Sequence, residues 1–311
     1  MALTHSLGRG PLRSFSDLID RRVDNALRRS ARTAEPGADD MSLRLEQLQE
    51  QIEKLQVKQS TFELLFDGTG RGMARMPQPG HLAKAAREIA AITGDADSAK
   101  RNVHTAFRLL VAFECLGVGR IAGGTMNICG KLATVPLLDL PNDEVLEIGT
   151  LYGMFAAALL RMLERSGHDP KLTVVDPLIG TQHQSGTNMR PDASGTPVRD
   201  AAVRTNLGLA GAAGAAARIQ IGYSTDPEVR AAVSDRSYGA VVVDGDHSYE
   251  GVAADLVWVE EIVAPGGVVV LDDFGDAKWP GVQKAVEEHL AGPTRFTLLG
   301  RVATSGFLRA S

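Results

Sequence analysis

Two acids and a histidine sit together in one short loop, Asp244-Gly245-Asp246-His247-Ser248-Tyr249-Glu250-Gly251, which follows the apolar run Ala240-Val241-Val242-Val243. A second acidic pair, Asp272-Asp273, ends the run Val268-Val269-Val270-Leu271. Short apolar runs bounded by such loops read as buried strands. In open α/β sheets ligands bind beyond the carboxyl ends of the strands. If these two strands are parallel neighbours, both acidic tips meet above one edge of the sheet. Carboxylates without a Cys or His cluster suit a hard divalent cation, Mg2+ first and Mn2+ second, and do not suit structural zinc. Such an ion lowers the pKa of a bound hydroxyl and fixes its direction, and a histidine within reach takes the proton. The chemistry in view is that of a metal-dependent transferase. Asp246 and Ser248 also have a structural role open to them, capping a helix that starts near Tyr249.

The elements that must position these residues alternate from about residue 143. Glu144–Ile148 reads as a short buried strand, Gly149-Thr150-Leu151-Tyr152-Gly153 as a turn, 154–163 as an apolar helix and 172–176 as the next strand, ending in Asp176. That order implies parallel strands joined by a right-handed crossover. Further strands are expected at 218–221, 240–243 and 268–271, with 296–299 and 306–308 closing the sheet as an antiparallel pair. The expected class is therefore α/β, mostly parallel. A dinucleotide fingerprint G-x-G-x-x-G starting at Gly149 would place its second glycine at 151, where Leu151 stands, which disfavours a nicotinamide cofactor. Glu147, just before the turn, suits a cationic or amine-bearing ligand better than a pyrophosphate.

The form Glu147-x-Gly149-x-x-x-Gly153 resembles motif I of the class I S-adenosylmethionine-dependent methyltransferases. The resemblance implies a Rossmann-like sheet in which Gly149, Thr150 and Gly153 approach the amino-acid end of the cofactor, near Glu147. It also implies that Asp176 accepts hydrogen bonds from the ribose hydroxyls and that Tyr223 and Ser224 lie beside the adenine. The loop from Asp244 to Gly251, followed by Asp272-Asp273, is similar to that of metal-dependent O-methyltransferases acting on sugar hydroxyls of macrolide antibiotics, and of related bacterial small-molecule methyltransferases. This likeness covers residues 140–310. It implies that Asp244, Asp272 and Asp273 hold one Mg2+, that Asp244 also lies against the cofactor, that His247 is the general base and that Asp246 supports them. The function implied is Mg2+-dependent methylation of a hydroxyl on a sugar or polyketide-type natural product. Two alternatives keep the fold: a different metal-assisted, hydroxylase-like reaction, and an oligomeric binding protein without catalysis.

The remainder of the 311-residue chain sets the context. A net charge of −5 argues against a general nucleic-acid partner. No apolar run approaches the roughly 20 residues of a membrane span, and a cytoplasmic, reducing setting is expected. Cys115 and Cys129 are expected as free, buried thiols. Three regions are expected: a docking helix or poorly ordered tail over 1–40, a helical region over 41–140 and the catalytic domain over 141–311. Within the second, Leu45, Leu48, Ile52, Leu55 and Phe62 follow a 3-4 spacing and could pair two copies of the chain or pack on the chain's own core. Residues 66–72 read as a connection, 80–118 as helical, and 117–140 as a cover for the active face. The polar stretch 176–204, with His183, Arg190 and Arg199, reads as a loop that could close over substrate. Acceptor recognition is expected from 117–140 and 180–200.

Overall fold

The computed structural model describes residues 38–66, 75, 77, 79–180 and 195–311. Residues 1–37 of the tail expected over 1–40, residues 67–72 of the connection expected over 66–72, and His183 and Arg190 lie outside the described residues. The chain divides into two compact units between Arg75 and Met76. In the first, helix α1 (Ala38–Phe66) runs for 29 residues. Leu45 and Leu55 of its expected stripe are exposed, while Leu48 and Ile52 are half-buried.

The second unit opens with α2 (Pro79–Thr93), α3 (Ala96–Leu116) and α4 (Thr125–Thr134). The stretch expected to be helical over 80–118 forms two helices: Gly94 turns left-handed at φ 75° and Asp95 caps α3, its carboxylate accepting from the Ser98 N–H at 2.9 Å. Strands β1 (Glu144–Ile148), β2 (Lys171–Asp176), β3 (Arg218–Ile221), β4 (Tyr238–Val243), β5 (Val263–Leu271), β6 (Phe296–Val302) and β7 (Ser305–Ala310) follow. Between them lie α5 (Met154–Arg165), α6 (Asp200–Gly208), α7 (Ala212–Ala215), α8 (Pro227–Val233), α9 (Tyr249–Ile262) and α10 (Pro280–Ala291). The sheet order is β3-β2-β1-β4-β5-β7-β6, with β7 antiparallel to both of its neighbours and the other pairings parallel. This is the α/β class expected, with one antiparallel strand near the C-terminus.

Successive strand residues face opposite sides, and the two sides feed separate cores. Val145, Val242, Val268 and Val270 pack with α2 to α5, through residues such as Ile89, Leu110, Leu132 and Phe155. Leu146, Val241, Val243 and Val269 pack with α8 to α10, through Val233, Leu256, Trp258 and Val286. Helices α2 to α4 thus share one core with the sheet. The expectation of two buried thiols needs correcting: neither cysteine forms a disulfide, but only Cys129 is buried, because Cys115 faces outward on α3.

The register levels the strand tips. Ile148 pairs with Val175 and with Val243, and Val243 pairs with Leu271. Backbone bonds continue one residue further: Gly149 N–H donates to Val175, Asp244 to Ile148 and Asp272 to Val243, at 2.8, 2.8 and 3.0 Å. Glu147, Gly149, Asp176, Asp244 and Asp272 therefore emerge at one end of the sheet.

Candidate active site

The turn after β1 is built for close backbone approach. Gly149 has φ 82°, and a Cβ there would stand 2.2 Å from the Asp244 carbonyl oxygen, so only glycine lets the β1 and β4 tips lie this close. Gly153, at φ 75°, starts α5. Asp176 closes the turn from β2: its Oδ2 accepts from the N–H groups of Thr150 and Leu151 at 2.8 and 3.1 Å, and its Oδ1 from Leu178 at 2.8 Å. The acid expected to hold ribose hydroxyls thus first organises the glycine turn: two N–H groups fill Oδ2, and one lone-pair site is left on Oδ1. Glu147 is 2% exposed and its Oε2 has no hydrogen-bond partner. Burial pushes its carboxyl up to about 8. Thr150 is also buried, with its hydroxyl unpartnered. Tyr223 is exposed and Ser224 half-buried just after β3; the Ser224 carbonyl accepts from Arg230 Nε at 2.6 Å.

Beside this turn the acids of β4 and β5 meet, and they meet around a lysine. Lys131 Nζ, on α4, lies 2.8 Å from Asp244 Oδ2 and 2.6 Å from Asp272 Oδ1. One turn earlier on the same helix face, Asn127 Nδ2 donates to the same Asp272 oxygen at 2.7 Å, and Asn127 Oδ1 accepts from the Ser305 hydroxyl. Burial pulls the Lys131 ammonium down, but the two carboxylates outweigh it and hold it well above its ordinary range. Burial and the charge of Asp244 push Asp272 up against the pull of Lys131, whereas Lys131 and His247 together overcome burial at Asp244 and hold it low.

His247 lies between two carboxylates, with Nε2 3.4 Å from Asp244 Oδ1 and Nδ1 3.2 Å from Asp273 Oδ2. Its ring meets Trp279 edge-on, centroids 5.1 Å apart. Burial lowers its basicity, but Asp244 and Asp273 overcome that and raise it to about 10. Asp273 takes a left-handed backbone, φ 54°, and its carboxylate faces the imidazole. Of the two candidate caps for α9, Asp246 is not the one used; its carboxylate accepts from the Ser248 N–H at 2.8 Å. Ser248 caps α9 by accepting from Gly251 N–H at 3.0 Å.

Asp244, His247 and Asp272 each bring one ligand atom within 4.8 Å of the others, the spacing of a cation site. The donors do not fit a divalent ion in this arrangement, because the facing oxygens of Asp244 and Asp272 are taken by the ammonium of Lys131. Lys131 and Asn127 escaped the sequence reading, which assigned their segment to covering the active face and recognising the acceptor. The available signal was one lysine within the apolar stretch Ile128-Cys129-Gly130-Lys131-Leu132-Ala133, four residues after an asparagine. The ends of the expected closing loop are anchored: Gly180 and Val198 exchange two backbone bonds of 3.0 Å, and the Tyr152 hydroxyl donates to the Thr196 carbonyl. Arg199 is exposed at the start of α6.

Residues 146–274, the span holding the glycine turn and both acidic tips, match the family model of a methyltransferase domain. The chain carries a methyltransferase domain. Over 66 residues it is also 36% identical to an uncharacterized protein of Acanthamoeba polyphaga mimivirus; the match takes in 19% of this chain and 30% of the viral protein, less than a third of that relative's length. Among solved structures, the O-methyltransferase NovP is similar at 18% identity, covering 73% of this chain and 98% of its own, with a TM-score of 0.46. The O-methyltransferase TomG of Streptomyces achromogenes is similar at 17% identity, with 76% and 99% covered and a TM-score of 0.41.

Proposed function

We propose that the methyltransferase domain transfers the methyl group of S-adenosylmethionine to a hydroxyl of a small molecule, a sugar or polyketide-type natural product. The observation that carries this reading is Glu147, a buried carboxylate with an unpartnered oxygen beside a glycine turn that admits no side chain. A carboxylate so placed asks for a cation, and the α-ammonium of the cofactor's amino-acid end is one. Glu147, Gly149, Thr150, Gly153, Asp176 and Asp244 would hold the cofactor, with Tyr223 and Ser224 toward its adenine. When bound, S-adenosylmethionine supplies a methyl group on a sulfonium sulfur, which keeps the bonding pair as the acceptor oxygen takes the methyl. His247 would be the proton acceptor for the hydroxyl once its imidazole, raised to about 10 by the two carboxylates, has lost its proton and Nε2 has turned from Asp244 to the acceptor, with Nδ1–H still held by Asp273. Asp273 orients the imidazole and Asp246 shapes the loop.

The cation that the resemblance implies at Asp244, Asp272 and Asp273 is Mg2+, with Mn2+ as substitute; it would need Lys131 to leave the acid pair and Asp273 to turn from His247. The setting that suits this chemistry is cytoplasmic, without a nucleic-acid partner, and none of the described helices is long and apolar enough to cross a membrane. The exposed stripe of α1 is the surface through which two copies would associate. S-adenosylhomocysteine should raise the melting temperature, since a ligand that binds only the folded chain stabilises it; a shift with NAD and none with S-adenosylhomocysteine would refute the reading. With labelled S-adenosylmethionine and candidate glycosides, His247→Ala should slow transfer by about 10²–10⁴-fold while the melting shift persists.

A further inference from the structure

We infer that Lys131 is the resident cation of the Asp244/Asp272 pair, standing where the resemblance implies a divalent metal ion, so that this site works with an ammonium built into the chain. The inference rests on the proposed methyl transfer for its purpose, but its geometry is independent of it. Lys131 Nζ lies 2.8 and 2.6 Å from the two carboxylates, and its side chain is 3% exposed. The ammonium also lies 4.7 Å from the centre of the Phe155 ring, a cation–π contact that a hydrated ion would not share. The helix that delivers it is fixed in place. A Cβ on Gly130 would stand 2.8 Å from Val302 Cγ1, so α4 is pressed against the end of β6. Cys129, Leu132 and Ala133 are fully buried around it.

The acids are arranged for this cation. Asp272 Oδ1 accepts from both Lys131 and Asn127, which fixes the carboxylate's orientation toward α4. The third acid of the expected metal set, Asp273, faces His247 instead. A divalent ion of the Mg2+ type needs about six oxygens in near-octahedral order; here two carboxylates present their facing oxygens to one tetrahedral donor. Moving the ammonium aside to admit a metal would leave a buried positive charge without its partners, which is strongly unfavourable. Of the three N–H groups of an ammonium, two are spent on Asp244 and Asp272, leaving one for an acceptor oxygen. The ammonium would thus supply part of the orientation and charge stabilisation otherwise expected of a metal.

The test uses the full-length protein and Mn2+ as probe, read by the loss of the free-ion electron paramagnetic resonance signal, with S-adenosylhomocysteine melting shifts measured in parallel. The wild-type chain should leave Mn2+ free, and its melting shift should be the same with and without EDTA. Lys131→Ala should take up about one Mn2+ per chain, because it exposes two facing carboxylates, and adding Asp272→Asn to it should abolish that uptake. Should Lys131→Ala fail to fold, the wild-type titration decides alone. Uptake of one ion by the wild type, lost in Asp244→Asn, would overturn the inference; so would a folded Lys131→Ala that ignores Mn2+. Absence of any S-adenosylhomocysteine shift would instead count against the methyl-transfer reading and leave the manganese result to speak for Lys131.

Discussion

Two buried acidic groups stand at neighbouring strand tips and are treated in opposite ways. Asp272 shares the ammonium of Lys131 with Asp244 and takes a further hydrogen bond from Asn127. Glu147, one strand over, is as deeply buried, yet its Oε2 has no hydrogen-bond partner. The first arrangement is complete within the chain. The second leaves one buried oxygen unpaired. A buried carboxylate without a partner is costly, and burial accordingly holds Glu147 toward its protonated form, its carboxyl pushed up to about 8.

The sharpest way to break this comparison is to remove the internal cation. Lys131→Ala strands two carboxylates and should destabilise the chain by about 3–5 kcal/mol, read from the urea midpoint at neutral pH, with recovery on adding Mn2+. A loss below about 1 kcal/mol would mean that the pair contributes as little as a surface bridge. Next in size, Gly149→Ala drives a Cβ into the Asp244 carbonyl at a left-handed φ and should cost about 3 kcal/mol, together with the S-adenosylhomocysteine shift.

Glu147→Gln probes the other half of the comparison and should act with the opposite sign. Burial raises this carboxyl from 4.5 to about 8, so the folded chain holds a proton that the unfolded chain has released, and stability contributed by the protonated group falls as pH rises through that window. In the ligand-free protein Glu147→Gln should remove that slope and be more stable than wild type by up to roughly 4 kcal/mol near pH 8, the difference vanishing toward pH 4.5. It should also lose most of the S-adenosylhomocysteine shift. A wild type whose melting temperature is flat over that window would refute the assignment. The smallest effect is expected from Ser248→Ala, which removes the cap of α9 and should cost about 1 kcal/mol with no change in the S-adenosylhomocysteine shift.

Much of this arrangement could be read from the chain. Apolar runs ending in acids, at 172–176, 240–244 and 268–272, announce both strands and strand tips, since a parallel sheet buried on both faces needs continuous apolar residues and releases its polar ones only at its ends. Glu147 was legible for the same reason, as an acid inside the last turn of such a run. The roles of Lys131 and Asn127 were not. Their partner Asp272 is 141 residues from the lysine and 145 from the asparagine, and no spacing within α4 points to it; only the packing of α4 over the tips does. Asp273 shows a second limit. Nothing in Asp272-Asp273 says that the second residue turns left-handed and gives its carboxylate to His247 rather than to its neighbour's ligand. Amphipathic helices reveal that they have a buried face, not which core receives it.

Helix α4 lies outside the 146–274 span that matches the methyltransferase family model. If its lysine is the counter-ion of the acid pair, the part of the chain that defines the reaction type and the part that sets its electrostatics are encoded separately. The catalytic module would then be chemically unfinished when taken alone, with two facing carboxylates awaiting a charge. Exchanging the preceding helical segment between related chains would change the ionic requirement of the enzyme without touching a residue of the transfer site, and a metal-free enzyme and a metal-dependent one could differ by a single position on a covering helix.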